Sequence, residues 1–190
     1  CRQDEKLAKG EIKRMPKSDH NAAHYFIESH LESGRGEAIA FIEAASSKRI
    51  SYGTLSANSS KVAGALTKTG IKREERAAIL MLDSIDYVEV FWGCLKAGVI
   101  AVPINTLLAG AVYDTILSDS RASCLFVSAA LLQVLKPVLA KNDHIRKVIV
   151  VGDHPVEDGF ESYQTFTKGA PKSVAVAVSP DETAFWLYSS

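Results

Sequence analysis

The amino-acid sequence predicts an α/β fold, a mainly parallel sheet with crossover helices preceded by an N-terminal β-hairpin. Three observations carry that expectation. Residues 76–105, RAAILMLDSIDYVEVFWGCLKAGVIAVPIN, read as strand, helix, strand, and a strand returning through a helix makes a parallel, right-handed unit. The runs 77–82 and 99–104 are short and apolar throughout, as strands buried on both faces are, and 123–127 and 147–151 are short strand runs that are apolar after Ser123 and Lys147. Strand and helix patterns then alternate through these four runs, the signature of a layered α/β domain.

Taken in order, residues 1–20 carry mixed charge and few apolar side chains, so they are expected to form a flexible lead-in, with the folded unit spanning 21–190. Asn21 or Asp19 is placed to cap a helix over 22–31, in which Ala23, Phe26, Ile27 and His30 share a face. His20 and His24 have a spacing that would suit a metal pair, but no third ligand follows usefully, and no metal site is assigned. Residues 38–43 and 49–52 form a hairpin around the polar loop 44–48. Thr54 starts a helix with Leu55, Val62, Ala63 and Leu66 inward and Gly70 as its stop. Tyr52 and Leu55 are read as packing the hairpin onto that helix.

The helix between the strands at 77–82 and 99–104 has Asp83 and Ser84 at its start, and Lys96 and Gly98 at its end. Asp86, Glu89, Gly93 and Lys96 fall three, four and three apart and are read as a narrow solvated stripe. Ile85, Val88, Phe91, Trp92 and Leu95 are left to be buried. Further on, Val112, Tyr113, Ile116 and Leu117 mark another amphipathic helix. Ser128 is expected to cap the next one, which Pro137 should bend or bring to its last turns. Residues 153–180 read as loop with a helical piece near 160–166, the alternating 174–178 as an edge strand, and 183–188 as an apolar strand. Gly152 follows a strand, but GDHPVEDG does not supply the G-x-G-x-x-G of a dinucleotide-binding turn.

The composition of the 190 residues, 47% apolar and 23% charged, is that of a globular chain. Twenty-two basic residues balance twenty-two acidic ones, so there is no electrostatic footprint of a nucleic-acid or anionic-membrane partner. No apolar run approaches the roughly 20 residues of a membrane span, and no signal-like segment opens the chain. Cys1, Cys94 and Cys124 form no ligand pair; the last two sit in apolar patterns and read as buried thiols. A reduced, cytoplasmic protein is the resulting expectation.

Three stretches carry a family resemblance. LKAGVIAVPIN at 95–105 resembles the second core motif of the adenylate-forming enzymes, the superfamily of acyl- and aryl-CoA synthetases, luciferases and peptide-synthetase adenylation domains. ISYGTL at 50–55 resembles the first core motif, and FWLYSS at 185–190 the start of the phosphate-binding motif. Within the superfamily NAAHYFIE, MLDSIDY, PINTLL and AFWLYSS are most similar to benzoate-type aryl-CoA ligases. The resemblance implies the N-terminal portion of the large domain of an ATP-dependent ligase. A carboxylate attacks the α-phosphate of ATP with magnesium present, and coenzyme A then takes the acyl group. Ser189 and Ser190 match the first hydroxyl positions of the phosphate-binding motif and are the residues assigned to cofactor binding. Catalytic and metal-holding groups are expected beyond Ser190, so no catalytic residue is assigned, and tight binding of ATP, magnesium or coenzyme A to this chain is not expected. The partners implied are the remainder of the polypeptide, or a second copy of the chain, and in the whole enzyme a small aromatic carboxylate.

Searched independently, the sequence holds no G-x-S-x-G, H-E-x-x-H or C-x-x-C set. Asp83, Asp86 and Glu89 are explained by capping, dipole and solvated-stripe roles. The alternative reading is a stand-alone α/β small-molecule-binding or interaction module without catalysis.

Overall fold

The computed structural model describes residues 20–153 and 157–189. The expected lead-in, apart from His20, lies outside the described residues, as do Cys1, Asp19 and Ser190. The first element is a π-helical turn, His24–Glu28, continuing into α1, Ser29–Glu32. Asn21 is its cap, the side-chain oxygen accepting the Ala23 N–H at 3.0 Å. Ala23 and Ile27 are buried, whereas Phe26 of the expected inner face is largely exposed. The wider π turn rotates successive side chains away from a 3.6-residue period.

The hairpin forms as expected from β1, Ile39–Ile42, and β2, Arg49–Ser51, paired antiparallel. Helix α2, Tyr52–Lys68, follows, with Ser51 as its cap. Leu55 packs with Ile27, Ile50 and Ile85, and Tyr52 stacks on His30, so both join the hairpin region to its neighbours. Gly70 takes the left-handed conformation that ends the helix, at φ 79°.

The main sheet has five parallel strands in the order β4-β3-β5-β6-β7: β3 Arg76–Leu80, β4 Ile100–Pro103, β5 Cys124–Ser128, β6 Lys147–Val151 and β7 Phe160–Ser162. The apolar runs are buried on both faces because alternate residues enter two separate cores. Ala77, Ile79, Cys124, Phe126 and Ile149 meet α2, α3 (Ile85–Ala97) and α6 (Tyr163–Thr167). Ala78, Leu80, Val102, Leu125 and Val148 meet α4 (Gly110–Ser120) and α5 (Ala129–Leu139). The result is a three-layer α/β/α sandwich. Cys94 and Cys124 are free, fully buried thiols, and burial pushes Cys94 up to about 12.

Several expectations are corrected. The stripe on α3 is not solvated. Glu89 is 6% and Lys96 1% exposed, Gly93 is buried between them, and this face lies on α2. The contact is close because Gly93 has no Cβ; one there would stand 2.5 Å from Cβ and Cγ1 of Val62. Val88, Phe91 and Trp92 are only half-buried. Ser128 makes no side-chain cap on α5; its hydroxyl instead accepts the Leu82 N–H at 2.9 Å, crossing between strand ends. β7 replaces part of the helical piece expected at 160–166. Residues 174–178 form no strand. They belong to an extended strap across α2 and α3, in which Ser173 N–H donates to the Ser60 carbonyl and Val176 N–H to the Lys96 carbonyl. Residues 183–188 make a single bridge, Phe185 to Ala101 on β4, rather than a continuous strand. Ala101 donates to the Ala184 carbonyl and accepts from the Trp186 N–H.

Candidate functional site

An open cleft of about 610 Å³ lies at the carboxyl ends of β3, β5 and β6. Its position follows from topology. The chain leaves β3 through α3 on one face of the sheet and leaves β5 through α5 on the other, so the two connections diverge. In open α/β sheets ligands bind at such a divergence. Asp83, Ser84, Asp86, Ser128, Gly152 and Asp153 line it.

The electrostatics of this cleft are set by carboxylates. The start of α3 is already served: Ser84 hydroxyl accepts the Tyr87 N–H at 3.2 Å, and Glu43, from the hairpin end, accepts the Ile85 N–H at 3.0 Å. Burial pushes the Asp86 carboxyl up, opposed by Lys48 and assisted by Glu43. Three aspartates together disfavour a polyphosphate, so the donor set of this cleft does not fit ATP on its own. Among the described residues, no group of three or more His, Cys, Asp or Glu is arranged to hold a metal ion.

Two buried polar clusters lie along α3 where it packs on its neighbours, Lys96 at its carboxyl end and Glu89 nearer its start. Lys96 pairs with Glu28 and donates to the Ser56 carbonyl at 2.9 Å and Ser60 Oγ at 2.9 Å. Burial lowers the Lys96 ammonium, while Glu28 opposes that. Glu89 accepts from Asn58 Nδ2 at 2.7 Å and from the Tyr163 hydroxyl at 2.8 Å; burial raises its carboxyl despite both bonds. Every charged atom here is matched by a neighbour, which is what makes burial tolerable. These clusters are therefore structural, and Glu89 does not belong with Asp83 and Asp86 as a surface group.

The assigned residue Ser189 is exposed at the end of the segment 183–189. That segment is fastened at separate points. The Arg73 guanidinium grips the Glu182 carboxylate, Arg76 lies 5.8 Å from the centre of the Trp186 ring, and the Tyr188 hydroxyl donates to Asp119 at 2.6 Å. Sequence reading missed these partners because they lie 69 to 110 positions apart with no local pattern to join them. Beside the segment runs a line of rings, Tyr25, Phe26, Trp92, Phe91 and Phe185, with successive centroids 4.9, 5.9, 5.3 and 5.8 Å apart. Tyr25, Phe26 and Phe185 are each well exposed.

A layered parallel sheet of this order, carrying the two core motifs on β2–α2 and α3–β4, is the framework of the adenylate-forming ligases. The family model of the AMP-binding enzymes matches residues 28–190, and the chain belongs to that family. It is 36% identical over 179 residues to the 4-hydroxybenzoate–CoA/benzoate–CoA ligase of Rhodopseudomonas palustris, an alignment covering 93% of this chain and 32% of that protein. Among solved structures, an anthranilate CoA ligase in complex with anthranoyl-AMP superposes with a TM-score of 0.80 at 28% identity. The match covers 88% of this chain and 32% of that one. A benzoate CoA ligase from Burkholderia xenovorans gives a TM-score of 0.77 at 31% identity, with the same coverage. The chain thus spans about a third of the length of the curated relatives it matches.

Proposed function

We propose that this chain is the scaffold portion of an ATP-dependent carboxylate–CoA ligase that acts on benzoate or a related small aromatic acid. The observation that carries this reading is the 36% identity to a benzoate and 4-hydroxybenzoate CoA ligase across 93% of the chain. The reaction joins an acid to the thiol of coenzyme A in two steps. ATP and magnesium serve activation of the acid as its adenylate, and the thiol then displaces AMP. The chain's own contribution is positional. Its sheet and helices hold the segment 183–189, which ends in Ser189, the residue that with Ser190 is read as serving phosphate binding. Its exposed ring line is read as a face covered by the remainder of the same polypeptide, or by a second copy of the chain. The protein is read as cytoplasmic; among the described residues no helix is long and apolar enough to cross a membrane.

The aromatic assignment rests on similarity rather than on a pocket wall. Trp92 and Trp186 make ring and guanidinium contacts of their own and say nothing of ligand size. An apolar pocket discriminates by only about 1–3 kcal/mol per methylene, so neighbouring ring acids should be accepted to different degrees. The test is a panel of acids given to the longer enzyme with ATP, magnesium and coenzyme A. Benzoate or a simple substituted benzoate is expected to show a higher kcat/KM than acetate or palmitate. Preference for either aliphatic acid would overturn the aryl assignment and leave the ligase class standing.

A further inference from the structure

The segment that carries Ser189 is not held by a sheet ladder, and its placement depends on a few discrete contacts. Among the described residues its only bridge is to Ala101, with Ala101 N–H donating to the Ala184 carbonyl at 3.3 Å and Trp186 N–H to the Ala101 carbonyl at 2.9 Å. Just before that bridge, Glu182 closes a turn. Its carboxylate accepts the Ser179 N–H at 2.7 Å, and its own N–H donates to the Ser179 carbonyl at 3.1 Å. The same carboxylate is gripped by Arg73, from the loop between α2 and β3, through Nε at 3.0 Å and through Nη2 to both oxygens. A planar guanidinium fork on a carboxylate fixes direction as well as distance, which a lysine would not.

We propose that Arg73, acting through Glu182, is a positioning residue that sets the register of residues 184–189 against β4 and so the placement of the Ser189 hydroxyl. Its importance to turnover rests on the ligase reading above. The clamp is suited to this role because it is local. Arg73 is well exposed and Glu182 partly so, and ion pairs of that kind add little to global stability. The sheet does not depend on it, since β3, β5 and β6 are held by their own ladder and by two buried cores. Loss of the clamp therefore loosens the entry to the segment, which Arg76 and Tyr188 still touch further along, and leaves the scaffold folded. On the other side of the turn the strap has its own anchor. Asn21, buried, donates from Nδ2 to the Leu95 carbonyl at 2.9 Å and to the Val176 carbonyl at 3.0 Å. Arg73 thus governs the stretch after Ser179, and Asn21 the stretch before it.

The test uses Arg73→Gln, Glu182→Gln and the exchanged pair Arg73→Glu/Glu182→Arg. In the 190-residue chain, the Trp186 amide is expected to exchange hydrogen about threefold faster in either single variant while the Ile79 amide in β3 is unchanged, and the exchanged pair should return Trp186 part of the way, since an arginine at 182 cannot accept the Ser179 N–H. In the longer enzyme, kcat/KM for ATP is expected to fall about fivefold in the single variants with KM for coenzyme A unchanged, and to recover in the exchanged pair. Trp186 exchange indistinguishable from wild type would overturn the clamp. Faster exchange with undiminished ATP turnover would overturn its role in positioning. A longer enzyme silent with every acid would overturn the ligase reading itself, and the exchange data would still decide whether Arg73 holds the segment.

Discussion

Gly93 and Lys96 show how residue identity acts through what lies opposite. Their spacing on α3, with Asp86 and Glu89, announces a stripe, and sequence reading placed it in water. The structure places it against α2, where Ser56, Asn58 and Ser60 supply the polar partners and Val62 fills the space a side chain at 93 would need. The signal was present: α2 reads SANSS from 56 to 60, a polar and small face matching that of α3. Nothing in either helix alone says that two such faces meet. Gly93→Ala should therefore cost about 1–3 kcal/mol by overpacking, far outside the effect of a surface glycine-to-alanine change. Urea unfolding of the variant checks this, and a stabilised protein would show that α2 and α3 do not touch there.

At the scale of elements, the amino ends of the sheet are held by Glu75. Its carboxylate accepts the Lys72 N–H at 2.7 Å, the Ser123 hydroxyl at 3.1 Å and Arg146 Nη2 at 2.7 and 2.8 Å, linking the approaches to β3, β5 and β6. Burial raises this carboxyl, but the Lys72, Ser123 and Arg146 contacts together outweigh burial and hold it below the usual carboxylate range. A carboxyl lowered on folding contributes stability that is present above its unfolded pKa and lost as pH falls through its folded one. Thermal unfolding of wild type should therefore lose this contribution on acidification. Glu75→Gln should be less stable at neutral pH and lose less between neutrality and acid; an unchanged acid slope would contradict the linkage. Strand existence was legible because the buried length of a strand covered on both faces must be apolar, as at 148–151. Strand order was not, since register and neighbours depend on partners distant in sequence. Residues 174–178 misled for a related reason: their alternation fits a strand, but their hydrogen bonds go to α2 and α3 instead.

For the whole molecule, two cores cover the two faces of the sheet, while one side carries a line of rings from Tyr25 to Phe185. Contiguous apolar surface of this kind marks contact with another surface. Self-association in sedimentation at micromolar concentration is the expected behaviour of the 190-residue chain, and a compact monomer that unfolds cooperatively would show that the ring line needs no cover. The family was legible in short motifs because they sit on the hairpin and the start of α2, the α3–β4 unit and the segment 185–189. The chemistry was not, because the cleft at the carboxyl ends of β3, β5 and β6 is lined by aspartates and Ser189 offers only a hydroxyl. The central claim, that this chain supplies framework for an aromatic-acid ligase and not its phosphate chemistry, is tested most directly by benzoate-dependent ATP–pyrophosphate exchange. Exchange is expected in the longer enzyme and none above a protein-free blank in the 190-residue chain; exchange by the chain alone, or its absence from the longer enzyme, would contradict the account.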